Sequence, residues 1–215
     1  MDVMERARAA EAAGRSIIHM EVGQPGTPAP KGALETLAAT MQGSALGYTV
    51  ALGLPELRAR IAGLYKTRHG IDLNPDRVVV TAGSSGAFLL AFTALFEAGD
   101  RVGLGDPGYP SYRQILKALS LTPVGIPTRL EDRLQPAPNA LPQDINGLIV
   151  ASPANPSGTM LDRPALTALI EATQSRGAAF ISDEIYHGIE YERPSVSALE
   201  VSDDVYVINL SLIHI

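Results

Sequence analysis

From residue 77 onwards, short apolar segments alternate with longer segments of helical composition. The apolar segments have the length of buried β-strands and comprise residues 77–81, 101–104, 122–126, 147–151, 178–182 and 205–209. Most are separated by segments that favour helix, such as residues 87–96, 112–119 and 164–176. This alternation predicts a mostly parallel sheet covered by helices on both faces. We therefore expect an α/β fold.

The first part of the chain follows a different pattern. Helices are expected over residues 2–14, 31–42 and 55–69, and residues 17–22 favour a short extended segment. Three stretches contain the Pro and Gly residues typical of irregular structure, namely residues 23–30, 43–53 and 127–142. These stretches are predicted to be mostly loops.

Composition narrows the possible partners. The 215 residues are 46% hydrophobic and carry a net charge of −6 without a long Lys/Arg run, which argues against nucleic acid or an anionic membrane as partner. The absence of cysteine excludes disulfides and thiolate metal sites, and it agrees with a cytoplasmic location. The N-terminus lacks a signal-peptide pattern, and no apolar segment is long enough to span a membrane. A small-molecule ligand is the better expectation.

The strongest candidate for chemistry follows the apolar residues 178–180. Asp183 stands at the predicted end of a buried strand, where a carboxylate is costly unless its charge is used. Ligands of open α/β sheets bind at the carboxyl ends of the strands, and Tyr186 follows one helical turn later. The sequence therefore predicts a ligand site that contains Asp183 and Tyr186.

Three further loops follow predicted strands. Gly83, Ser84 and Ser85 form a small-residue turn into a helix, which is either an anion site or an ordinary turn with a Ser N-cap. Tyr109 follows a G-x-G-x-x-G spacing, but Pro107 and Pro110 exclude a dinucleotide-binding helix there. The Tyr109 ring either stacks on a flat ligand or packs the turn.

The third loop holds Asn155 between Pro153 and Pro156. These prolines restrict the backbone, so the Asn155 amide either points at a fixed angle towards a ligand or forms an Asx turn. Glu184 and His187 have the E-x-x-H spacing of di-iron proteins, but no second such motif accompanies them. We therefore expect no metal.

Along the chain, the candidate phosphate turn is followed by the aromatic ring, then by the amide, and then by the carboxylate with its tyrosine. This order resembles that of one family. It is similar to the large domain of fold-type-I pyridoxal-phosphate enzymes, in particular class I/II aminotransferases of the aspartate aminotransferase type. The resemblance covers about residues 23–209. It implies pyridoxal 5'-phosphate as cofactor and a ping-pong transfer of an amino group between an amino acid and a 2-oxo acid.

The resemblance also implies a role for each loop residue. Asp183 would pair with the pyridine nitrogen, and Asn155 and Tyr186 would hydrogen-bond the phenolic oxygen of the cofactor. Tyr109 would stack on the ring, and the phosphate would be held by Gly83, Ser84 and Ser85.

Two more residues match family positions outside these loops. Tyr48 would reach the phosphate of a neighbouring subunit, which implies a homodimer. Gly23, in Gly23-Gln24-Pro25, would lie beside the substrate carboxylate together with Asn155. Residues 1–35 would form an arm or part of a small domain, and residues 36–215 an incomplete cofactor-binding large domain without the C-terminal small domain.

The chain departs from the family pattern in a few places. Ser152 and Ser157 replace the more usual Asn and Thr of the asparagine loop, which removes no expected cofactor contact. The only lysines are Lys31, Lys66 and Lys117, so the lysine that forms the Schiff base is missing after residue 209. We expect this chain to be truncated and inactive alone.

Alternative functions remain open from sequence alone. The same residues would suit a pyridoxal-phosphate-dependent C–S lyase of the same fold, or an aminotransferase-like sensor domain of a regulator. An α/β domain with unrelated ligand chemistry would require four independent loops to match the family pattern by coincidence.

Overall fold

The computed structural model describes residues 2–20, 23, 27–45, 47–191 and 193–211. The chain divides into two compact units, residues 1–45 and 46–214. The first unit contains helices α1 (Asp2–Ala12) and α2 (Lys31–Gly43). Gly14 follows α1 with a φ of +83°, a left-handed conformation that suits glycine.

The second unit alternates helices and strands. Its helices are α3 (Pro55–His69), α4 (Gly83–Leu95), α5 (Pro110–Ala118) and α6 (Arg163–Gln174). Its strands are β1 (Arg101–Asp106), β2 (Thr122–Pro127), β3 (Gly147–Ala151), β4 (Ala179–Asp183) and β5 (Tyr206–Ile208). Short 3-10 turns span Pro75–Arg77, Leu130–Asp132, Pro138–Ala140 and Ala198–Glu200.

The five strands form one parallel sheet in the order β2-β1-β3-β4-β5. The chain first moves outward from β1 to β2, and then crosses to the other side of β1 to form β3, β4 and β5. The loops that leave β1 and β3 therefore diverge, which opens a crevice at the carboxyl ends of these two strands. The α/β fold and parallel sheet predicted from the sequence are confirmed.

Side chains alternate between the two faces of the sheet, and each face has its own core. On one face, Leu148, Val150 and Phe180 belong to a buried cluster with the α6 residues Leu166, Leu169 and Ile170. On the other face, Ile149 and Ile181 belong to a cluster with Phe88, Phe92 and Leu116 of α4 and α5. This period of two explains why the strand sequences are almost continuously apolar.

One predicted strand is wrong. Residues 77–81 form no strand, because their backbone groups are engaged by other parts of the chain. The Nε of Arg58 donates a hydrogen bond to the Val78 carbonyl oxygen at 3.0 Å. The Val80 N–H donates to the carbonyl oxygen of Leu52, also at 3.0 Å. The buried Arg58 guanidinium thus takes an acceptor that a neighbouring strand would need.

Other boundaries shift by a few residues. Helix α4 begins at Gly83 instead of residue 87, and β1 extends to Asp106. Residues 17–20 form no strand, whereas residues 21 and 22 of that predicted extended segment lie outside the described residues. Within the described ranges, no helix combines the length and apolar character needed to cross a membrane.

The close packing of β3 against Phe96 gives a stability prediction. A Cβ on Gly147 would lie 2.3 Å from the Phe96 ring Cζ, so Gly147→Ala should lower the free energy of unfolding by about 1–3 kcal/mol. The control is Gly63→Ala on the exposed face of α3, where no described atom outside the helix's own adjacent backbone and the two neighbouring residues lies within 4 Å of the added Cβ. Because alanine favours helix, the free energy of unfolding of this control should rise by up to about 1 kcal/mol. Urea denaturation measures both, and an unchanged Gly147→Ala variant would contradict this packing.

Candidate functional site

Three of the strands end in loops that carry predicted site residues. Tyr109 follows β1, Asn155 follows β3, and Asp183 is the last residue of β4, three positions before Tyr186. Parallel strands place their carboxyl ends at the same edge of the sheet, so these residues share one edge.

Asp183 is a buried carboxylate, with 3% of its surface exposed. The Tyr112 hydroxyl of α5 donates a hydrogen bond to its Oδ2, and the Ile185 N–H donates to its Oδ1 at 3.2 Å. Burial raises the pKa of Asp183, while these two hydrogen bonds act in the opposite direction. The pKa of Tyr112 is raised by burial and by the nearby Asp183 charge.

Tyr112 is a site residue that the sequence analysis missed. It lies three positions after Tyr109, and the two rings meet edge to face with centroids 5.3 Å apart. On its other side, Tyr112 contacts Phe88 of α4 with a centroid distance of 4.9 Å. Its position three residues after Tyr109 indicated that the two rings could be neighbours, but not that Tyr112 contacts Asp183.

Asn155 and Tyr186 are brought together by the fold. The Asn155 Nδ2 donates to the Tyr186 hydroxyl at 3.2 Å, and both side chains are partly buried. The Ser152 N–H donates to the carbonyl oxygen of Asp183 at 3.1 Å, which joins the two segments at the strand ends. Asn155 therefore lies against the turn after β4.

The Gly83–Ser85 turn opens α4, but Ser84 is not its N-cap. The N-cap is Ala82, which has no side-chain acceptor for the N–H groups of the first helical turn. Gly83 has a φ of +74°, and its carbonyl oxygen accepts a hydrogen bond from the Thr81 hydroxyl at 2.9 Å. Ser84 therefore does not cap this helix, contrary to the ordinary-turn alternative, and the anion site stays a prediction.

The other two predicted residues, Tyr48 and Gly23, are both exposed. Tyr48 is fully exposed, and no hydrogen bond connects it with the rest of the described chain. Gly23 is also exposed, and no described atom lies within 4 Å of the point that a Cβ would occupy there, while Gln24 and Pro25 lie outside the described residues.

A cavity of about 180 Å³ occupies the crevice between the loops of β1 and β3. Its lining includes Asp106, Tyr109, Arg113, Gln135 and Asn155. Cavities at such topological switch points are the usual ligand sites of open α/β sheets.

Glu184 and His187, which stand on either side of Tyr186 in the sequence, form a buried pair. Glu184 accepts hydrogen bonds from the hydroxyls of Ser182 and Ser197 and from the Ala198 N–H, at 2.8–2.9 Å. Burial raises the pKa of Glu184 to about 7 and lowers the pKa of His187 to about 4. Among the described side chains, no group of three His, Asp or Glu residues is placed to hold a metal ion.

Solved aminotransferase structures share this architecture. A putative aminotransferase from Silicibacter pomeroyi is 64% identical with a TM-score of 0.88, over 98% of this chain and 55% of that one. An aminotransferase from Mycobacterium tuberculosis is 42% identical with a TM-score of 0.92, over 98% of this chain and 56% of that one. The fold is thus that of fold-type-I enzymes.

The family follows from the sequence comparison. Residues 15–212 match the family "Aminotransferase class I and II", and the chain belongs to this family. It is 44% identical to the valine–pyruvate aminotransferase of Mycobacterium tuberculosis, over 97% of this chain and 55% of the relative. It is 32% identical to an aspartate aminotransferase of Thermotoga maritima, over 100% of this chain and 59% of that relative.

These findings confirm the resemblance seen in the sequence. Class I/II aminotransferases depend on pyridoxal 5'-phosphate, so the predicted cofactor is confirmed for the family. The chain spans about half the length of the curated relatives it matches.

The buried Glu184–His187 pair predicts opposing pH effects on stability. Folding raises the Glu184 pKa from 4.5 to about 7, so its contribution is full below pH 4.5 and is lost as the pH rises to about 7. Folding lowers the His187 pKa from 6.5 to about 4, so its contribution is full above pH 6.5 and is lost as the pH falls to about 4.

Substituting each residue alone should therefore change the pH dependence of the unfolding free energy in opposite directions. Relative to the wild type, the unfolding free energy of His187→Gln should fall with pH between about 4 and 6.5, because the substitution removes the His187 contribution. That of Glu184→Gln should rise with pH between about 4.5 and 7, with each slope at most about 1.4 kcal/mol per pH unit. Denaturation curves at several pH values measure both, and curves parallel to the wild type would refute the assignment.

Proposed function

We propose that this chain forms the cofactor-binding part of an aminotransferase that moves an amino group between an amino acid and a 2-oxo acid. The observation that carries the proposal is the buried Asp183 carboxylate at the end of β4, beside the paired Asn155 and Tyr186. When bound, pyridoxal phosphate supplies a protonated ring that can accept the electron pair left on a substrate carbon.

The environment of Asp183 suits a cationic ring nitrogen. A buried carboxylate is costly without a positive partner, and the hydroxyl of Tyr112 and the N–H of Ile185 supply only neutral donors. A pyridinium nitrogen would add the missing charge and favour the ionised form of Asp183. Asp183 would in turn keep the nitrogen protonated, with Tyr112 holding the orientation of the carboxylate.

The other residues would bind the remaining parts of the cofactor. The amide of Asn155 and the hydroxyl of Tyr186 lie 3.2 Å apart, so both could donate to one phenolic oxygen. The first N–H groups of α4 and the hydroxyls of Ser84 and Ser85 would bind the phosphate. Tyr109, which is partly exposed, would stack on the ring.

The complete active site is proposed to involve a second copy of the protein. Tyr48 would reach the phosphate of the partner, and its full exposure leaves the hydroxyl available for this contact. Gly23 would lie beside the substrate carboxylate. Assembly as a homodimer, the domain boundary at residue 35 and the cytoplasmic location stay predictions of the sequence.

The lysine positions bear on the activity of this chain. Lys31 begins α2 in the first unit, Lys66 forms an ion pair with Asp72 after α3, and Lys117 lies in the last turn of α5. None follows the carboxyl end of a strand. We therefore retain the prediction that the 215 residues alone do not transaminate, even if they bind the cofactor weakly.

The relatives favour transamination over the two alternatives. The relatives and structures described above all bear the names of aminotransferases, and none is named a lyase or a regulator. The 44% identity with a valine–pyruvate aminotransferase supports an aliphatic amino acid as substrate of the complete protein.

Titration with pyridoxamine 5'-phosphate tests the cofactor site, because this form of the cofactor needs no lysine. We expect saturable quenching of its fluorescence by the 215-residue chain. Asp183→Asn should weaken the affinity by about tenfold or more, because a neutral amide cannot balance the charge of the ring nitrogen.

The matched control is Asp144→Asn. Asp144 pairs with Arg101 at the start of β1, the opposite end of the sheet, and is largely exposed. This variant should bind like the wild type. Absence of saturable binding by the wild type, or equal affinity of Asp183→Asn, would refute the proposed site.

A further inference from the structure

His187 joins the two segments that carry Asn155 and Tyr186. Its Nε2 lies 2.9 Å from the carbonyl oxygen of Ser152, three residues before Asn155. His187 itself immediately follows Tyr186. We propose that His187 is a positioning residue that sets the separation of Asn155 and Tyr186, because it ties the loop after β3 to the turn after β4. This inference rests on the proposed cofactor site.

The hydrogen bond to Ser152 defines the tautomer of the His187 ring. A carbonyl oxygen can only accept, so Nε2 carries the hydrogen and donates it. Burial lowers the pKa of His187 to about 4, which keeps the ring neutral near pH 7. Nδ1 is therefore unprotonated at neutral pH.

The N–H, hydroxyl and carbonyl groups of Ser152 all make hydrogen bonds, and these bonds hold the residue in place. Its N–H donates to the Asp183 carbonyl oxygen at 3.1 Å, and its hydroxyl oxygen accepts from the Leu161 N–H at 3.0 Å. The bond from His187 occupies its carbonyl oxygen. A buried residue with three such bonds can transmit the position of the His187 ring to the loop that begins there.

The other side of the ring faces a fixed carboxyl group. Within the described part of the chain, Nδ1 makes no hydrogen bond, and the Glu184 Oε2 lies 3.5 Å from it. Other described titratable groups near the ring include Glu190, the ring of His69 from α3 at a centroid distance of 5.7 Å, and Glu200, which bonds His69.

The consequence of this arrangement concerns one atom of the cofactor. Two donors that serve the same phenolic oxygen must keep a fixed separation, and errors of about 1 Å are costly in such sites. Movement of the asparagine loop would separate the Asn155 amide from the Tyr186 hydroxyl. His187 therefore acts through these two residues and does not touch the cofactor.

Two substitutions distinguish this role from simple burial. In His187→Gln the side-chain amide can still reach the Ser152 carbonyl oxygen, whereas in His187→Asn the amide ends near the position of Nδ1. Amide hydrogen exchange without cofactor reports on the loop through Ala154 and Gly158, whose N–H groups bond within it. We expect about tenfold faster exchange in the Asn variant and near wild-type exchange in the Gln variant.

Cofactor binding provides the second measurement. The Asn variant should bind pyridoxamine 5'-phosphate about tenfold more weakly, and the pH at which the absorbance of the bound cofactor changes should shift. The Gln variant should retain most of both properties. The control His69→Gln disturbs the same buried cluster without touching Ser152, and should alter neither.

Each outcome decides the role of His187. Wild-type exchange and affinity in the Asn variant would overturn the proposal, and so would faster exchange with unchanged affinity and spectrum. If the wild-type chain does not bind pyridoxamine 5'-phosphate, the proposed cofactor site fails, while the exchange data still test the tie to Ser152. Nitrogen NMR of the wild-type ring needs no variant: a ring protonated at Nδ1 near pH 7 would also overturn the proposal.

Discussion

The site depends on the burial of one carboxylate. Asp183 ends β4 between the neighbouring strands β3 and β5, where its backbone is paired with Ala151 and Ile208. Its side chain receives hydrogen bonds from Tyr112 and Ile185, both of them neutral donors. A cationic ligand nitrogen would balance the remaining charge, which connects the parallel sheet directly with the chemistry of the family.

The topology of the sheet places the other site loops at the same edge of the sheet as this carboxylate. Because the chain reverses its direction of progress between β2 and β3, the loops with Tyr109 and Asn155 diverge and leave a cavity. Helices α4 and α5 pack on one face of the sheet and α6 packs on the other. This packing fixes the strands from which the loops emerge. The positions of the site residues therefore depend on the connections between neighbouring strands more than on any single motif.

Much of this arrangement follows from sequence patterns. The bounds of α3 and β3 were predictable because capping residues and continuous apolar segments mark them. The contact of Asn155 with Tyr186 agrees with the predicted grouping of strand ends. The role of Tyr112 was not predictable, because its partner lies 71 residues away and the contact requires the packing of α5. Likewise, the absence of a strand at residues 77–81 depends on the buried Arg58 from α3.

The protonation state of the bound cofactor is the most direct test of the role of Asp183. Nitrogen-15 NMR of ring-labelled pyridoxamine 5'-phosphate, bound to the 215-residue chain at neutral pH, reports whether the pyridine nitrogen carries a proton. Pairing with Asp183 predicts a protonated nitrogen in the complex. An unprotonated nitrogen in the bound cofactor would contradict that pairing.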